Sequence, residues 1–352
     1  MILLLGTLLL AFSVSIGFTP MVRKLAFKVN ACAVPNHRTI HESVMPKLGG
    51  VAIFMAFLIG LSMVFLFTDQ SFQPLKREAL VFLAASVLIL LLGIYDDIKG
   101  ANAYEKFSIQ LLASIIVIAF GYKVESVVNP FGAPISLGIF SVPFTILWIV
   151  GISNAVNLID GLDGLAAGIG LGASLIMLGI SLYFGNIMSA FPAAILAGSI
   201  AGFLIFNYNP AKIFLGDSGS LLIGFLLACF SINGTFRSDS AVAIYIPMVV
   251  LGIPIVDTLL AMLRRLRKGI HLFQADREHI HHRLLQMGLS HRQAVLALHS
   301  VSLFWGLVGF GMMLFDYHYS IFLLTIVLLS IIFGLKKLGF GKYFVMKTLR
   351  RS

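Results

Sequence analysis

The sequence predicts an all-α polytopic membrane protein. Hydrophobic residues make up 59% of the 352 residues and charged residues only 11%, whereas soluble globular domains carry about 25% charged residues. The mean hydropathy is +0.99. The apolar residues fall in runs long enough to cross a bilayer as helices, which takes about 20 residues. We therefore expect one integral membrane domain over residues 1–352, with no separate soluble domain.

Eleven of these runs are predicted to be transmembrane helices. The fifth is the weakest, because Gly151, Ser153 and Asn154 interrupt it. The N-terminal run has neither a positively charged start nor a small-residue cleavage site, so we interpret it as a retained first span rather than a signal peptide. The predicted spans are residues 1–21, 48–67, 79–95, 107–121, 142–158, 165–184, 190–206, 219–235, 241–263, 297–315 and 319–335.

The basic residues predict the orientation of these spans. Cytoplasmic loops of membrane proteins are enriched in Lys and Arg. With the N-terminus outside and the C-terminus inside, all but four of the 25 Lys and Arg residues fall on the cytoplasmic side. This bias accounts for the formal charge of +10 without a nucleic-acid partner. The four exceptions are Lys76, Arg77, Lys123 and Arg237.

Most carboxylates fall on that same side. A single carboxylate at a span end is about as often a solvated interface residue as a functional one. Three separate clusters flanked by Gly and Asn are harder to explain in that way, so we predict one site facing the cytoplasm. The acids at or near these ends are Asp96, Asp97, Asp160, Asp163, Asp217, Asp257, Asp276 and Glu278.

The first cluster is the pair Asp96-Asp97 at the end of the third span. Adjacent carboxylates repel each other, so keeping both ionised requires a nearby cation. A magnesium ion that holds a diphosphate is the usual reason for such a pair, although Asp-Asp also occurs in ordinary loops. Lys106, on the next helix, is placed to meet a phosphate as a point charge.

The second cluster is a polar stripe in which Asn154, Asn157 and Asp160 recur every three residues along a helix. Glycines on either side of Asp163 loosen the chain, so that a ligand can approach the backbone. No Lys or Arg lies nearby in the sequence to compensate the two carboxylates, which favours a divalent cation. The alternative is a polar helix end, which needs only one capping residue rather than four.

The third cluster is Gly-Asp-Ser-Gly-Ser, which opens the eighth span around Asp217. It offers a carboxylate, hydroxyls and free helix N-terminal amides, a combination that suits a metal and phosphate oxygens. The same residues also suit an N-cap, and the two interpretations are compatible. Asn207 and Phe214 precede this motif, and Phe214 either stacks on a base or packs in the core.

The fourth cluster is a long loop after the ninth span that combines arginines with three histidines. The arginines either anchor to anionic headgroups or meet phosphoryl oxygens, whose transfer depends on positioning and charge. Zinc is the alternative for the histidines, but no Cys lies nearby and His-x-His-His is not a standard zinc spacing. The candidates are Arg264, Arg265, Arg267, His279, His281, His282 and Arg283.

A fifth, softer patch precedes the second span. It adds basic groups, among them Arg38, His41 and Lys47. The pair Gly49-Gly50 then permits close packing between helices.

In this order, the motifs resemble those of the polyprenyl-phosphate N-acetylhexosamine-1-phosphate transferases. The His-x-His-His spacing is similar to the branch that transfers N-acetylglucosamine 1-phosphate, whereas the muramoyl-pentapeptide branch typically has three consecutive histidines. Ala33 departs from the pattern, because relatives often carry Asp there. The matching motifs are Pro35-Asn-x-Arg with Pro46-x-x-Gly-Gly, Asp96-Asp97, Asn157-Leu-Ile-Asp-Gly-Leu-Asp-Gly-Leu, Asn207-x-x-Pro-Ala-x-x-Phe-x-Gly-Asp-x-Gly, and His279-x-His-His-Arg-Leu-Leu.

The resemblance implies transfer of a sugar 1-phosphate from UDP-N-acetylglucosamine to undecaprenyl phosphate with release of UMP, as the first membrane step of a cell-envelope glycopolymer. It implies Mg²⁺ as cofactor, with Mn²⁺ as the alternative, and a multi-pass protein of the bacterial inner membrane whose site faces the cytoplasm. It allows a homodimer. We expect a single in-line displacement, with a covalent route through an Asp nucleophile as the alternative.

The resemblance also implies roles for the candidate residues. Asp217 is expected to bind the metal directly, and Asp96 and Asp97 to handle the metal or the acceptor phosphate. The expected catalytic group is Asp96, Asp97, Lys106, His279, His281 and His282. The expected substrate-binding group is Asn154, Asn157, Asp160, Asp163, Asn207, Phe214, Arg38, His41, Arg264, Arg265, Arg267 and Arg283.

Two alternatives come from other functional classes. An intramembrane prenyltransferase also uses Asp-rich clusters with Mg²⁺, but it typically shows Asp-x-x-x-Asp spacing and does not explain the histidine-rich loop. A transporter would place its charges near mid-span, whereas these carboxylates lie at span ends.

Overall fold

The structure is a computed structural model that describes residues 1–34, 44–69, 72–127, 135–233, 249–269, 278–314 and 317–340. Helices make up about four fifths of these ranges. They are α1 Ile2–Lys28, α2 Gly49–Phe67, α3 Gln73–Lys99, α4 Ala103–Ala119, α5 Ser141–Ile159, α6 Leu165–Tyr183, α7 Ile187–Asn207, α8 Gly216–Asn233, α9 Gly252–Lys268, α10 Ile280–Gln286, α11 His291–Leu314 and α12 Tyr317–Lys337.

Short strands and one 3₁₀ turn connect some of these helices. Strand β1 (Cys32–Ala33) pairs antiparallel with β2 (Met45–Pro46) just before α2. Strand β3 (Ser126–Val127) pairs antiparallel with β4 (Ile135–Ser136), and the 3₁₀ turn Gly138–Phe140 then leads into α5. The first pair lies near the start of α8, since the N–H of Phe214 donates to the carbonyl of Pro46 at 2.8 Å.

Seven of the described helices are long and apolar enough to cross a membrane, namely α1, α2, α3, α5, α6, α7 and α11. Their outer faces carry exposed leucines, such as Leu9 on α1, Leu91 on α3 and Leu307 on α11, each more than half exposed. Apolar side chains on an outer face match a hydrocarbon surrounding. The all-α polytopic fold class is therefore confirmed.

The count of eleven spans and the orientation of the termini remain predictions. Each predicted span coincides at least in part with a described helix. The helices α4, α8 and α9 contain 17, 18 and 17 described residues, which is short for a membrane crossing.

Helix α8 forms the centre of the bundle. It packs against α2, α3, α5, α6 and α7, and its side chains from Leu221 to Cys229 are almost completely buried. The indole N–H of Trp148 on α5 donates to Ser231 Oγ on α8 at 2.8 Å. A helix that is apolar on every face belongs in such a position.

Glycines allow neighbouring helices to approach the start of α8 closely. A Cβ atom built on Gly50 of α2 would overlap the backbone of Ser218 and Gly219, and one built on Gly93 of α3 would overlap the backbone of Ser218. Only glycine fits at such backbone contacts. The glycines thereby bring Asp217 to the end of α3, where the Asp96-Asp97 pair lies, and Gly50 fulfils the predicted packing role.

The start of α4 is fixed by a capping box. The N–H of Glu105 donates to Asn102 Oδ1 at 2.9 Å, and the N–H of Asn102 donates to Glu105 Oε2 at 2.8 Å. Reciprocal bonds of this kind satisfy helix N-terminal donors that otherwise lack partners. The box sets the first turn of α4, which carries Lys106.

Candidate active site

A cavity of about 540 Å³ lies at one end of the bundle, where α3, α5 and α7 end and where α6, α8 and α10 begin. Its walls come from loops that are far apart in the sequence, so only the fold brings them together. Seven residues of the predicted site line it, namely Asp97, Asp160, Asp163, Asn207, Phe214, Asp217 and His282.

Lys106 lies between two carboxylates at the edge of this cavity. Its Nζ is 2.7 Å from Asp96 Oδ2 and 2.6 Å from Asp217 Oδ2. Asp96 also accepts from the N–H of Ala101. The three side chains are largely buried, so the attraction between the ammonium and the carboxylates is stronger than it would be in water. The predicted first and third clusters therefore meet at one point.

Asp97, the other member of the pair, contacts backbone. Its Oδ1 accepts from the N–H of Asp217 at 3.0 Å and its Oδ2 accepts from the N–H of Ser218 at 3.1 Å. These are N-terminal donors of α8 that have no partner within that helix. Asp97 thus caps α8 from a neighbouring helix and orients Asp217 through its backbone.

The donor chemistry at this point fits a magnesium ion. Two carboxylates, Asp96 and Asp217, converge on one cationic group, and Mg²⁺ is commonly held by one or two carboxylates together with substrate phosphates. Among the described residues, no group of three or more His, Cys, Asp or Glu side chains is arranged to hold a metal. An ion here would therefore depend on oxygens of the substrate as well as on the protein.

The two asparagines of the polar stripe join helices. Asn154 Nδ2 donates to Gln110 Oε1 of α4 at 2.8 Å, and Gln110 Nε2 donates to Asn154 Oδ1 at 3.4 Å. Asn157 Nδ2 donates to Ser220 Oγ of α8 at 2.9 Å. Two of the three stripe residues predicted to bind substrate thus tie α5 to α4 and α8 and do not line the cavity. Asp160 is the member of the stripe that does.

Asp160 directly follows the end of α5. Burial and the nearby carboxylates Asp217, Asp97 and Asp163 raise the pKa of Asp160 well above its usual range, while the positive charge of Lys47 opposes the rise. A carboxyl in such surroundings retains its proton more readily. Asp160 is therefore suited to donate a hydrogen bond to a ligand in the cavity.

Asp163 and Asn207 hold the two adjoining loops together. Asp163 Oδ2 accepts from Asn209 Nδ2 at 3.0 Å and from the N–H of Ala211 at 3.1 Å. Asn207 Oδ1 accepts from the N–H of Gly164 at 3.1 Å, and its Nδ2 donates to the carbonyl of Ile213 at 3.0 Å. Both predicted binding residues thus also shape the cavity wall to which they belong.

The histidine motif has one member anchored away from the cavity. His279 Nδ1 lies 2.8 Å from Asp257 Oδ2, and Asp257 Oδ1 accepts from the N–H of Ile280 at 2.9 Å. Asp257 is 1% exposed and His279 is 5% exposed. The pair fixes the start of α10 to α9.

The next two histidines follow from that anchor. His281 is buried against Gly161, where a Cβ atom would overlap the imidazole ring. Neither of its ring nitrogens has a hydrogen-bond partner among the described residues. Burial, with a smaller contribution from His282, lowers the pKa of His281 to about 3. His281 is therefore neutral at physiological pH, and His282 lines the cavity.

The predicted arginines lie further from the cavity. Arg264 and Arg283 have their guanidinium groups 5.5 Å and 5.4 Å from the ring centroid of Phe340. Arg265 is buried and Arg267 is exposed. None of the four lines the cavity. The remaining predicted binding residues, Arg38 and His41, lie outside the described residues.

Comparison with known proteins identifies the family. The model of glycosyl transferase family 4 matches residues 79–235. The chain is 36% identical over 313 residues to a probable undecaprenyl-phosphate N-acetylglucosaminyl 1-phosphate transferase of Bacillus subtilis, a match that covers 88% of this chain and 85% of the relative. The chain belongs to the polyprenyl-phosphate N-acetylhexosamine-1-phosphate transferase family.

Further relatives of this transferase have the same kind of activity in their names. The chain is 35% identical over 322 residues to a decaprenyl-phosphate N-acetylglucosaminephosphotransferase of Mycobacterium tuberculosis, a match that covers 83% of this chain and 78% of the relative. The chain is also 29% identical over 288 residues to an undecaprenyl-phosphate alpha-N-acetylglucosaminyl 1-phosphate transferase of Escherichia coli, a match that covers 80% of this chain and 76% of the relative. The resemblance seen in the motifs is confirmed, and the prenyltransferase and transporter alternatives are excluded.

Four polar residues of the transferase site were not among the predicted site residues. Lys47, Asn209 and His291 line the cavity, and Asp257 anchors the histidine motif. Lys47 and Asn209 lie inside motifs that the sequence displays, so their positions carried a signal. The signal for Asp257 and His291 was weaker, because their roles arise from contacts between segments that are distant in the sequence.

Proposed function

We propose that this transferase moves N-acetylglucosamine 1-phosphate from UDP-N-acetylglucosamine to undecaprenyl phosphate and releases UMP. The observation that carries the proposal is the convergence of Asp96, Lys106 and Asp217 beside a cavity large enough for part of a nucleotide sugar. The donor and acceptor are those in the names of the Bacillus subtilis and Escherichia coli relatives. The product would start a cell-envelope glycopolymer.

The reaction is a single in-line displacement. An oxygen of the lipid phosphate attacks the sugar-bearing phosphorus, the bond from that phosphorus to the bridging oxygen breaks, and UMP leaves with the bonding electrons. A phosphate monoester has its second pKa near 6, so at neutral pH the acceptor is largely a dianion. No residue is required to remove a proton from it.

The residues of the cavity supply charge and position. The Lys106 ammonium, held by two carboxylates, is close enough to the cavity edge to stabilise negative charge on the transferred group. His282 also lines the cavity and can meet phosphoryl oxygens there. Phe214 offers an aromatic face and Asp160 a carboxyl group to the nucleotide. Because such transfers depend on positioning and charge, these groups are suited to the chemistry proposed, together with a metal ion.

Mg²⁺ is the proposed cofactor, and Asp217 with Asp96 would hold it. When bound there, the ion would neutralise charge on the diphosphate. Asp97 would act on this centre indirectly, since both of its oxygens accept from backbone N–H groups of Asp217 and Ser218. We propose an orienting role for Asp97.

The cavity is proposed to face the cytoplasm. Lys99, Lys106 and Lys212 all lie at the end of the bundle that holds the cavity, and cytoplasmic segments are the ones enriched in basic residues. A UDP-sugar donor and a membrane-bound acceptor would then meet at this surface. This arrangement fits a multi-pass protein of the bacterial inner membrane.

Purified protein tests the proposal directly. UMP release is measured in detergent with UDP-N-acetylglucosamine, undecaprenyl phosphate and Mg²⁺, and again with Mn²⁺, with other UDP-sugars and with the muramoyl-pentapeptide nucleotide. We expect release that requires both substrates and a divalent ion. No release, or Asp217→Ala as active as wild type, would contradict the proposal. Net retention of configuration at a chiral phosphorus would exclude the single displacement.

A further inference from the structure

We infer that Lys47 is the cationic contact for a phosphoryl group in the cavity. The ligand is a phosphate oxygen, which either the diphosphate of the donor or the phosphate of the lipid acceptor can supply. The inference rests on the proposed function only in naming these two sources. It goes beyond that function in assigning their recognition to a residue from the segment between α1 and α2.

The charges of the cavity lining favour such a contact in addition to Lys106 and the proposed Mg²⁺. Four carboxylates line the cavity, and Lys47 is the only Lys or Arg among the lining residues that the structure describes. At the cavity edge, the single positive charge of Lys106 lies beside two carboxylates, Asp96 and Asp217, at 2.7 Å and 2.6 Å, so Lys106 alone does not balance a polyanion. A polyanionic ligand that enters among carboxylates needs a compensating cation. The four lining carboxylates are Asp97, Asp160, Asp163 and Asp217.

The backbone holds Lys47 firmly at this wall. Its N–H donates to the carbonyl of Ala31 at 2.9 Å. On either side, the N–H of Phe214 donates to Pro46 at 2.8 Å and the N–H of Gly49 donates to Phe214 at 3.2 Å. The neighbours of Lys47, Pro46 and Gly49, thus join this segment to the loop that presents Phe214 and leads into α8. A fixed backbone lowers the entropy lost when the side chain binds a ligand.

The side chain of Lys47 is available to a ligand. It is half-buried, and within the described ranges no carboxylate oxygen lies within 4.0 Å of its Nζ. Its charge nevertheless acts on the carboxyls of Asp160 and Asp97, which also line the cavity. An ammonium group is a compact point charge with three donors, which suits a phosphoryl oxygen. The competing explanation is that Lys47 only balances the charges of Asp160 and Asp97 and does not contact a ligand.

The experiment compares Lys47→Met and Lys47→Arg with the control Lys212→Met. Lys212 belongs to the same loop region, is exposed and does not line the cavity. Affinities for UDP and for uridine are measured by calorimetry in detergent, and KM is measured separately for UDP-N-acetylglucosamine and for undecaprenyl phosphate. Loss of one charged hydrogen bond corresponds to about a ten- to hundredfold weaker interaction.

If Lys47 contacts the donor, Lys47→Met weakens UDP binding about tenfold or more and leaves uridine binding unchanged. If it contacts the acceptor, UDP binding is unchanged and the KM for undecaprenyl phosphate rises by a similar factor. In either case Lys47→Arg restores part of the loss and Lys212→Met behaves like wild type.

Two results would overturn the inference. One is that no affinity and no KM changes in Lys47→Met. The other is that UDP and uridine binding fall together with a lower unfolding temperature, which indicates a structural role. Wild-type protein without transferase activity would contradict the proposed function instead, and in that case unchanged UDP binding in Lys47→Met would overturn the inference as well.

Discussion

Lys106 and Asp217 are 111 positions apart in the sequence, yet Lys106 Nζ lies 2.6 Å from Asp217 Oδ2. Asp96 completes the contact from a third helix at 2.7 Å. The ion pairs therefore join the end of α3 to the starts of α4 and α8. The same three residues serve both the packing of these helices and the proposed chemistry, and mutations can separate the two roles.

Lys106→Met is expected to lower the rate of UMP release at least a hundredfold, because the group that stabilises transferred negative charge is lost. It should also lower the unfolding temperature, since Asp96 and Asp217 are then left close together without their cation. Steady-state rates and thermal unfolding in detergent measure the two effects.

The double variant Lys106→Met/Asp96→Asn separates these effects. Removing one carboxylate relieves the repulsion, so the unfolding temperature should recover, while the activity stays low because both Lys106 and a proposed Mg²⁺ ligand are lost. Such coupling is expected for residues in direct contact. Recovery of activity in the double variant would show that Lys106 only balances charge.

The sequence was sufficient to predict the helices and the meeting of the first and third clusters. Both depend on strong local signals, such as apolar runs for α1 to α8 and the Asp-Asp and Gly-Asp-Ser-Gly motifs. The pair Gly49-Gly50 gave a further signal, because close packing is the usual role of such glycines in membrane helices, whereas the similar contact of Gly93 became visible only in the structure.

Which contact each residue of a cluster makes could not be predicted in the same way. Asp96 and Asp97 are adjacent, but Asp96 pairs with Lys106 whereas Asp97 caps α8. Side chains at neighbouring helix positions point about 100° apart, so their partners depend on how α3 is rotated against α8. That rotation arises from the packing of the whole bundle and leaves no local pattern in the sequence.

Gly161→Ala is expected to reduce activity about tenfold or more. The added methyl group would overlap the imidazole of His281, which is buried and has little room to move. Overpacking of this kind typically costs about 1–3 kcal/mol, and displacement of α10 would also move His282 in the cavity wall. Unfolding temperature and rate of UMP release measure the effect.

Gly151→Ala is the matched control for Gly161→Ala. Gly151 lies in α5, and a Cβ atom there meets nothing within 4 Å. The control should keep full activity and gain slightly in stability, because alanine is the better helix former by about 1 kcal/mol. Equal effects of the two substitutions would argue against the contact with His281.

Asp257→Ala is expected to lower kcat strongly with a smaller effect on the affinity for UDP. The substitution removes the acceptor for both His279 Nδ1 and the N–H of Ile280, so α10 loses its anchor on α9 and His282 is no longer held at the cavity. Asp257→Asn keeps one acceptor oxygen for Ile280 and should retain part of the activity. Kinetics and UDP calorimetry separate kcat from binding.

Lys268→Ala provides the comparison for Asp257→Ala. It removes an ion pair to Glu278 that joins the same two segments at 2.9 Å but lies near the surface. Exposed pairs contribute little, so its activity should stay close to that of wild type. A loss in Lys268→Ala as large as that in Asp257→Ala would show that any link between α9 and α10 matters equally.

His281 is expected to make the stability of the protein depend on pH. Burial lowers the pKa of His281 to about 3 in the folded state, whereas an unfolded histidine has a pKa of about 6.5. Between these values the unfolded state binds more protons, so the free energy of unfolding falls as pH falls from about 6.5 toward 3. The slope is about 1.4 kcal/mol per pH unit for one such group.

His281→Phe keeps a planar ring and cannot titrate, so its stability should fall less steeply over this range. Carboxylates and other histidines titrate in both proteins, and their contributions cancel in the difference between wild type and variant. The free energy of unfolding is therefore measured for both proteins at pH 7.5 and pH 5. The variant should be more stable relative to wild type at pH 5 than at pH 7.5. Parallel changes in the two proteins would mean that His281 is hydrated or hydrogen-bonded in solution and is not held as a buried neutral ring against Gly161.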